Sequence, residues 1–166
     1  MQHVDLESIL DQMSEDLRPL LDQDPAMVGL YTGGAWVAQA LHQRLGLKAQ
    51  LGEVDISFYR DDFTRVGLHP QVRTSNIPFD VDNRLIILVD DVLHTGRTIR
   101  AALNEIFDYG RPARVVLAVL VERDGREVPI QPDVVGLRQQ LDADEHLKLV
   151  GPQPLKLVIR KAGGTH

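Results

Sequence analysis

Two adjacent aspartates, Asp90 and Asp91, follow an apolar run from Leu85 to Val89, and a Thr-Gly-Arg-Thr turn comes soon after. Neighbouring carboxylates are costly unless a metal, backbone donors or ligand hydroxyls satisfy them. Each accepts two hydrogen bonds, so vicinal ribose hydroxyls are natural partners. His94, Thr95, Gly96, Arg97 and Thr98 then supply a glycine turn, two hydroxyls, a guanidinium and the first amides of an expected helix. Free amides and the helix dipole favour an anion, above all a phosphate. Acceptors for hydroxyls thus lie beside donors for phosphate, a pairing that fits a ribose 5-phosphate. The plainer alternative is an Asp that caps the helix and a Gly96 that makes the turn. It leaves the second Asp and the Thr-Gly-Arg-Thr run without a role.

The surrounding pattern indicates how such a site is carried. Leu6, Ile9, Leu10, Met13, Leu17, Leu20 and Leu21 recur at helical spacing, with Asp5 as a cap and Pro25 closing the segment. The polar face of that helix is acidic: Glu7, Asp11, Glu15 and Asp16. Met27–Tyr31 reads as a strand, Thr32-Gly33-Gly34 as a turn, and Ala35–Leu45 as a helix stopped by Gly46. Further strands are expected over Leu51–Tyr59, Leu85–Val89, Val115–Val121 and Pro132–Gly136, with a helix over Thr98–Tyr109. Residues 60–76 are polar and mixed, the character of a long functional loop. Strand-like pieces between Leu147 and Arg160 are broken by Gly151, Pro152 and Pro154. Apolar strands alternating with helices imply a parallel sheet covered on both faces.

The 166 residues suit one α/β domain with a real core. Cysteine is absent, which excludes a disulfide framework, a thiolate nucleophile and a cysteine metal site. The net charge of −6 weighs against broad, non-specific nucleic-acid binding. No apolar run approaches the roughly 20 residues that span a bilayer. The first ten residues lack the basic-then-apolar pattern of a signal peptide, so the cytoplasm is the expected compartment.

The run Ile86–Thr98, IILVDDVLHTGRT, resembles the phosphoribosyl-pyrophosphate signature of type I phosphoribosyltransferases. Gly52–Asp62, GEVDISFYRDD, and Gly110–Gly136 are similar to the family of bifunctional pyrimidine-operon regulators and uracil phosphoribosyltransferases. The resemblance runs from about Val28 to Gly136. It implies a single-domain type I phosphoribosyltransferase fold: a central, mostly parallel sheet flanked by helices. Residues 1–24 would form an N-terminal helix, 60–77 a mobile lid, and 137–166 a small hood and tail.

Site roles follow residue by residue as implications of the resemblance. Asp90 and Asp91 match the acidic pair that binds the ribose hydroxyls; His94 to Thr98 match the 5-phosphate loop. Thr32, Gly33 and Gly34 fall at the pyrophosphate loop, where the family usually has Thr-Arg-Gly. Tyr59 and Arg60 match the start of the catalytic lid, with Asp61, Asp62 and Arg65 beyond them. Glu122-Arg123 stands where Asp-Arg is usual: Arg123 as a second pyrophosphate contact, Glu122 as a holder of hydrated magnesium, with Arg126 assisting. Val134, Val135, Gly136 and Leu137 are the base-side candidates. After Gly136 the family commonly reads Lys-Asn-Ile-Pro-Thr-Ser, and this chain has Leu-Arg-Gln-Gln-Leu.

The implied activity converts uracil and phosphoribosyl pyrophosphate into UMP and pyrophosphate with Mg2+. It comes with pyrimidine-responsive regulation through messenger RNA and a homodimer or homotetramer. The alternative on the same fold is a nucleotide-sensing regulator with weak or no catalysis. A phosphoacceptor receiver domain fits poorly, because its acidic pair lies near the N-terminus. A dinucleotide-binding enzyme also fits poorly, since no Gly-x-Gly-x-x-Gly follows the first strand.

Overall fold

The computed structural model describes residues 4–56 and 75–161. Asp5 opens helix α1 (Leu6–Leu17), accepting from the Ser8 hydroxyl at 2.7 Å and the Ser8 amide at 3.2 Å. The hydroxyl bond first, and the amide bond second, hold the Asp5 carboxyl below its usual range. The expected helix to Leu21 is cut short. Pro19 has no N–H to give to an i−4 carbonyl, and Arg18–Gln23 tightens into a 3-10 turn instead. Arg44 pairs with Glu7 and, at 2.9 Å, with Asp11, which neutralises part of the acidic face of α1.

Five strands make one parallel sheet. They are β1 (Ala26–Leu30), β2 (Gly52–Val54), β3 (Leu85–Leu93), β4 (Arg114–Arg123) and β5 (Val134–Gln139). Their spatial order is β2-β1-β3-β4-β5, which puts β3 at the centre. Helix α2 (Gly33–Leu45) follows β1, and α3 (Arg97–Tyr109) follows β3. This is the mostly parallel α/β sheet expected of the sequence. At the C-terminus, β6 (Glu145–Val150) and β7 (Lys156–Lys161) pair antiparallel in a separate two-stranded sheet. The prolines that break the pattern there occupy the connection between the two strands.

Alternation along the strands feeds two cores. Met27, Ile87, Val89, Ala118 and Leu120 join Leu10, Met13 and Leu17 of α1 and Val37, Ala38 and Leu41 of α2 on one face. Val28, Ile86, Leu88 and Val119 join Ile99, Ala102 and Ile106 of α3 on the other. Both faces are therefore sealed, and polar chemistry is confined to the strand ends.

Gly29 sets the approach of α2 to β1. A Cβ there would lie 2.7 Å from the Ala38 Cβ and 2.9 Å from the Ala35 Cα. The helix would have to lift away from the sheet. Gly29→Ala is expected to cost about 1–3 kcal/mol of stability. Urea unfolding followed by circular dichroism measures it; an unchanged midpoint would show that the helix adjusts freely.

Candidate active site

β3 runs four residues beyond its expected end at Val89. Asp90, Val92 and Leu93 pair with Val119, Val121 and Glu122 of the long strand β4, so the aspartates lie within the strand, not after it. Asp90 is buried and Asp91 half-buried. The Asp90 Oδ1 accepts from the Asp91 amide at 2.8 Å, and the Asp91 Oδ1 from the Val92 amide at 2.8 Å. Backbone amides thus engage both carboxylates and help to fix their direction.

Two helix N-termini converge on this point. Gly33 and Gly34 are the first residues of α2, not a turn before it, and Thr32 is the N-cap. Glycine is a poor helix former, yet space requires it here. A Cβ on Gly34 would meet the Val89 carbonyl at 2.8 Å; one on Gly33 would meet the Asp91 Cγ at 2.8 Å and its Oδ2 more closely still. Gly96, at φ +93°, is the N-cap of α3, a left-handed position that suits glycine. Neither N-cap residue, Thr32 or Gly96, caps its helix through its own side chain. Their first amides and positive dipole ends are the donors an anion needs.

A cavity of about 460 Å³ unites Thr32, Gly33, Asp90, Asp91 and Thr98. Trp36 of α2, Ile56, and Leu147, Lys148 and Leu149 of β6 complete its wall. His94, Thr95, Gly96 and Arg97 form the turn between β3 and α3. The Arg97 amide donates to the Thr95 hydroxyl at 3.2 Å, and the Arg97 Nε to Glu127 at 2.8 Å. Burial first, and the nearby Arg123 guanidinium second, hold the His94 imidazole below its ordinary value, so it is neutral at pH 7.

Glu122 and Arg123 lie apart from that cavity. They line a second one of about 380 Å³ with Asp124, Arg126, Arg138 and Gln139. The Glu122 carboxylate pairs with Arg126 through one oxygen and, at 3.2 Å, with Arg138 through the other. The Arg123 Nε is buried and has no hydrogen-bond partner among the described residues. Val134, Val135, Gly136 and Leu137 form β5 and line neither cavity. β5 is the last strand of its sheet, which leaves alternate backbone groups unpaired along its outer edge. Tyr59, Arg60, Asp61, Asp62 and Arg65 lie outside the described residues.

A phosphoribosyl transferase domain model matches residues 5–154, nearly the whole chain. The chain belongs to the phosphoribosyl transferase family. Among curated relatives, this phosphoribosyl transferase is 58% identical over 153 residues to the bifunctional protein PyrR of Pseudomonas paraeruginosa, covering 90% of each chain. It is 61% identical over 138 residues to the PyrR of Nitrosococcus oceani, covering 82% of this chain and 78% of that one. Among solved structures, a purine phosphoribosyltransferase from Pyrococcus horikoshii superposes with a TM-score of 0.60 at 23% identity, covering 81% of this chain and 82% of that one. A hypoxanthine phosphoribosyl transferase from Trypanosoma cruzi gives 0.64 at 20%, covering 84% and 77%. At those identities the superpositions speak for the fold.

Sequence reasoning missed several residues of this phosphoribosyl transferase site. Trp36 sits one helical turn after Gly33, a spacing that could have flagged it. Leu147 to Leu149 come from a strand-like piece the sequence does show, but no local signal places it at the cavity. Among the described residues, no helix is long and apolar enough to cross a membrane.

Proposed function

We propose that the chain transfers the ribosyl 5-phosphate of phosphoribosyl pyrophosphate to uracil, and that it regulates pyrimidine biosynthesis genes in response to pyrimidine nucleotides. One observation carries the catalytic reading: the Asp90–Asp91 pair shares a cavity with the starts of two helices. The regulatory reading is supported by similarity to proteins named bifunctional protein PyrR.

In this reading Asp90 and Asp91 accept from the ribose hydroxyls. The Thr95 and Thr98 hydroxyls, with the first amides of α3, take the 5-phosphate. The first amides of α2 take the pyrophosphate; the same role for Arg123, which lines the other cavity, is supported by the family resemblance alone. A base-reading role for the backbone of Val134 to Leu137, which line neither cavity, is supported by the family resemblance alone. Uracil N1 donates an electron pair to the anomeric carbon as the bond to pyrophosphate breaks, and the uracil N1 proton is lost. Positive charge grows on the sugar, beside the carboxylates. Holding the reactants in line and stabilising this charge supply the catalysis without a covalent enzyme intermediate.

Magnesium commonly keeps several waters and binds through one or two carboxylates and substrate phosphates. Asp90 and Asp91 would fit such a site as a pair of hard oxygen donors completed by water and substrate phosphates, since the described residues hold no cluster of three or more His, Cys, Asp or Glu. When bound, magnesium supplies neutralisation of the diphosphate charge. The lid role of 60–77, with Tyr59 and Arg60, and the hood role of 137–166 are supported by the family resemblance. Messenger RNA as partner and a homodimer or homotetramer as assembly have the same support.

A second reading, a nucleotide sensor with little catalysis, is favoured by Gly33, which leaves the pyrophosphate loop without a cation. Radiolabelled uracil, phosphoribosyl pyrophosphate and magnesium separate the two. Formation of UMP, and no nucleotide from hypoxanthine, is expected. UMP binding without turnover would leave the sensor.

A further inference from the structure

We infer that Arg126 and Glu122 form a strut that holds the 94–98 turn in its phosphate-binding shape, and that Glu122 serves as the anchor of that strut, not as a metal ligand. The inference rests on the reading of this turn as the 5-phosphate loop.

The connection between β4 and β5 wraps the turn from outside. The Arg126 Nη1 donates to the His94 carbonyl at 2.5 Å and to the Arg123 carbonyl at 3.4 Å. Its Nη2 pairs with Glu122. The amides of Glu127 and Val128 both donate to the Thr95 carbonyl, at 2.9 and 3.2 Å. A Cβ on Gly96 would lie 2.7 Å from the Val128 Cγ2, and one on Gly125 would lie 2.8 Å from the His94 Nε2. The His94 and Thr95 carbonyls are therefore tied outward into this connection.

Arg126 is the keystone because its planar fork reaches both ends at once. The side chains of Arg126 and Glu122 are 24% and 20% exposed, so the pair is well shielded; Arg138, at 75%, adds little from the rim. The Glu122 oxygens face two guanidinium groups, an arrangement that repels a cation. Neither Arg126 nor Glu122 lines the larger cavity, so both act through the turn.

The test titrates UMP calorimetrically in EDTA and uridine by NMR, with melting temperature as a control. Wild-type UMP binding first establishes the phosphate site itself; its absence would remove that reading and leave the strut without a ligand to serve. Arg126→Ala is expected to weaken UMP about tenfold and leave uridine within twofold. Arg126→Lys recovers part of the loss, since an ammonium reaches one partner of the two. Glu122→Gln weakens UMP about threefold, and the double variant is no worse than Arg126→Ala alone. Additive losses, or equal losses for UMP and uridine, would overturn the strut. So would Glu122→Gln with unchanged UMP affinity in EDTA and an altered magnesium dependence of turnover, which would assign Glu122 to the metal. Should Arg126→Ala fail to fold, Arg126→Lys and Glu122→Gln still decide.

Discussion

Asp90→Asn combined with Asp91→Asn lowers UMP affinity and uracil turnover roughly thousandfold while the fold stays intact. The magnitude follows from the bonds at stake. A hydrogen bond to a charged group contributes about 1.5–3 kcal/mol, and two carboxylates facing ribose hydroxyls lose that charge assistance together. The fold survives because Asn is nearly isosteric with Asp. An amide oxygen can still accept from the Asp91 and Val92 amides that the two carboxylates now engage. Calorimetric titration of UMP, thermal melting and the uracil assay give the three readouts. Unchanged UMP affinity in a folded double variant sinks the assignment of the pair to the sugar.

Gly33→Ala carries the second large effect, and by a different route. The added Cβ falls onto the Asp91 carboxylate, 2.8 Å from its Cγ. Asp91 is half-buried, so its side chain swings aside at little cost to the fold. The carboxylate then misses the sugar. Displacements of about 1 Å in a positioning group cost on the order of a hundredfold in rate. We expect kcat/KM to fall by that order, with a melting temperature close to wild type. A side chain longer than alanine meets the same carboxylate, so the arginine usual in the family is expected to impair this chain. Activity at the wild-type level in Gly33→Ala would show that Asp91 does not set the sugar's position.

Much of this was legible from the chain before any coordinates. The carboxylate pair, the phosphate turn and the alternation of strands and helices all rest on local signals: an apolar run, a left-handed glycine, a helical period. What escaped depends on contacts distant in sequence. Gly33 and Gly34 begin α2 because β3 presses against them, and propensity alone argues against a helix starting there. The strand carrying Asp90 and Asp91 runs on to Leu93, past its expected end at Val89, because β4 is long enough to pair with Asp90, Val92 and Leu93. The pairing of Glu122 with Arg126 and Arg138 also has no signal in the local sequence. The base-side residues Val134 to Leu137 were assigned by likeness alone, and the structure sets them in the last strand without bringing them to a cavity.

The two cores on opposite faces of the sheet give the site a division of labour. α2 belongs to one core and α3 to the other, and each delivers one N-terminus to the cavity. In the proposed reading, repacking around Leu41 is expected to reach the pyrophosphate side through α2, and repacking around Ile106 the sugar-phosphate side through α3. The two supports meet where Gly33 of α2 lies against Asp91 of β3, so grip on the leaving group and grip on the retained product rest on different cores yet share one contact.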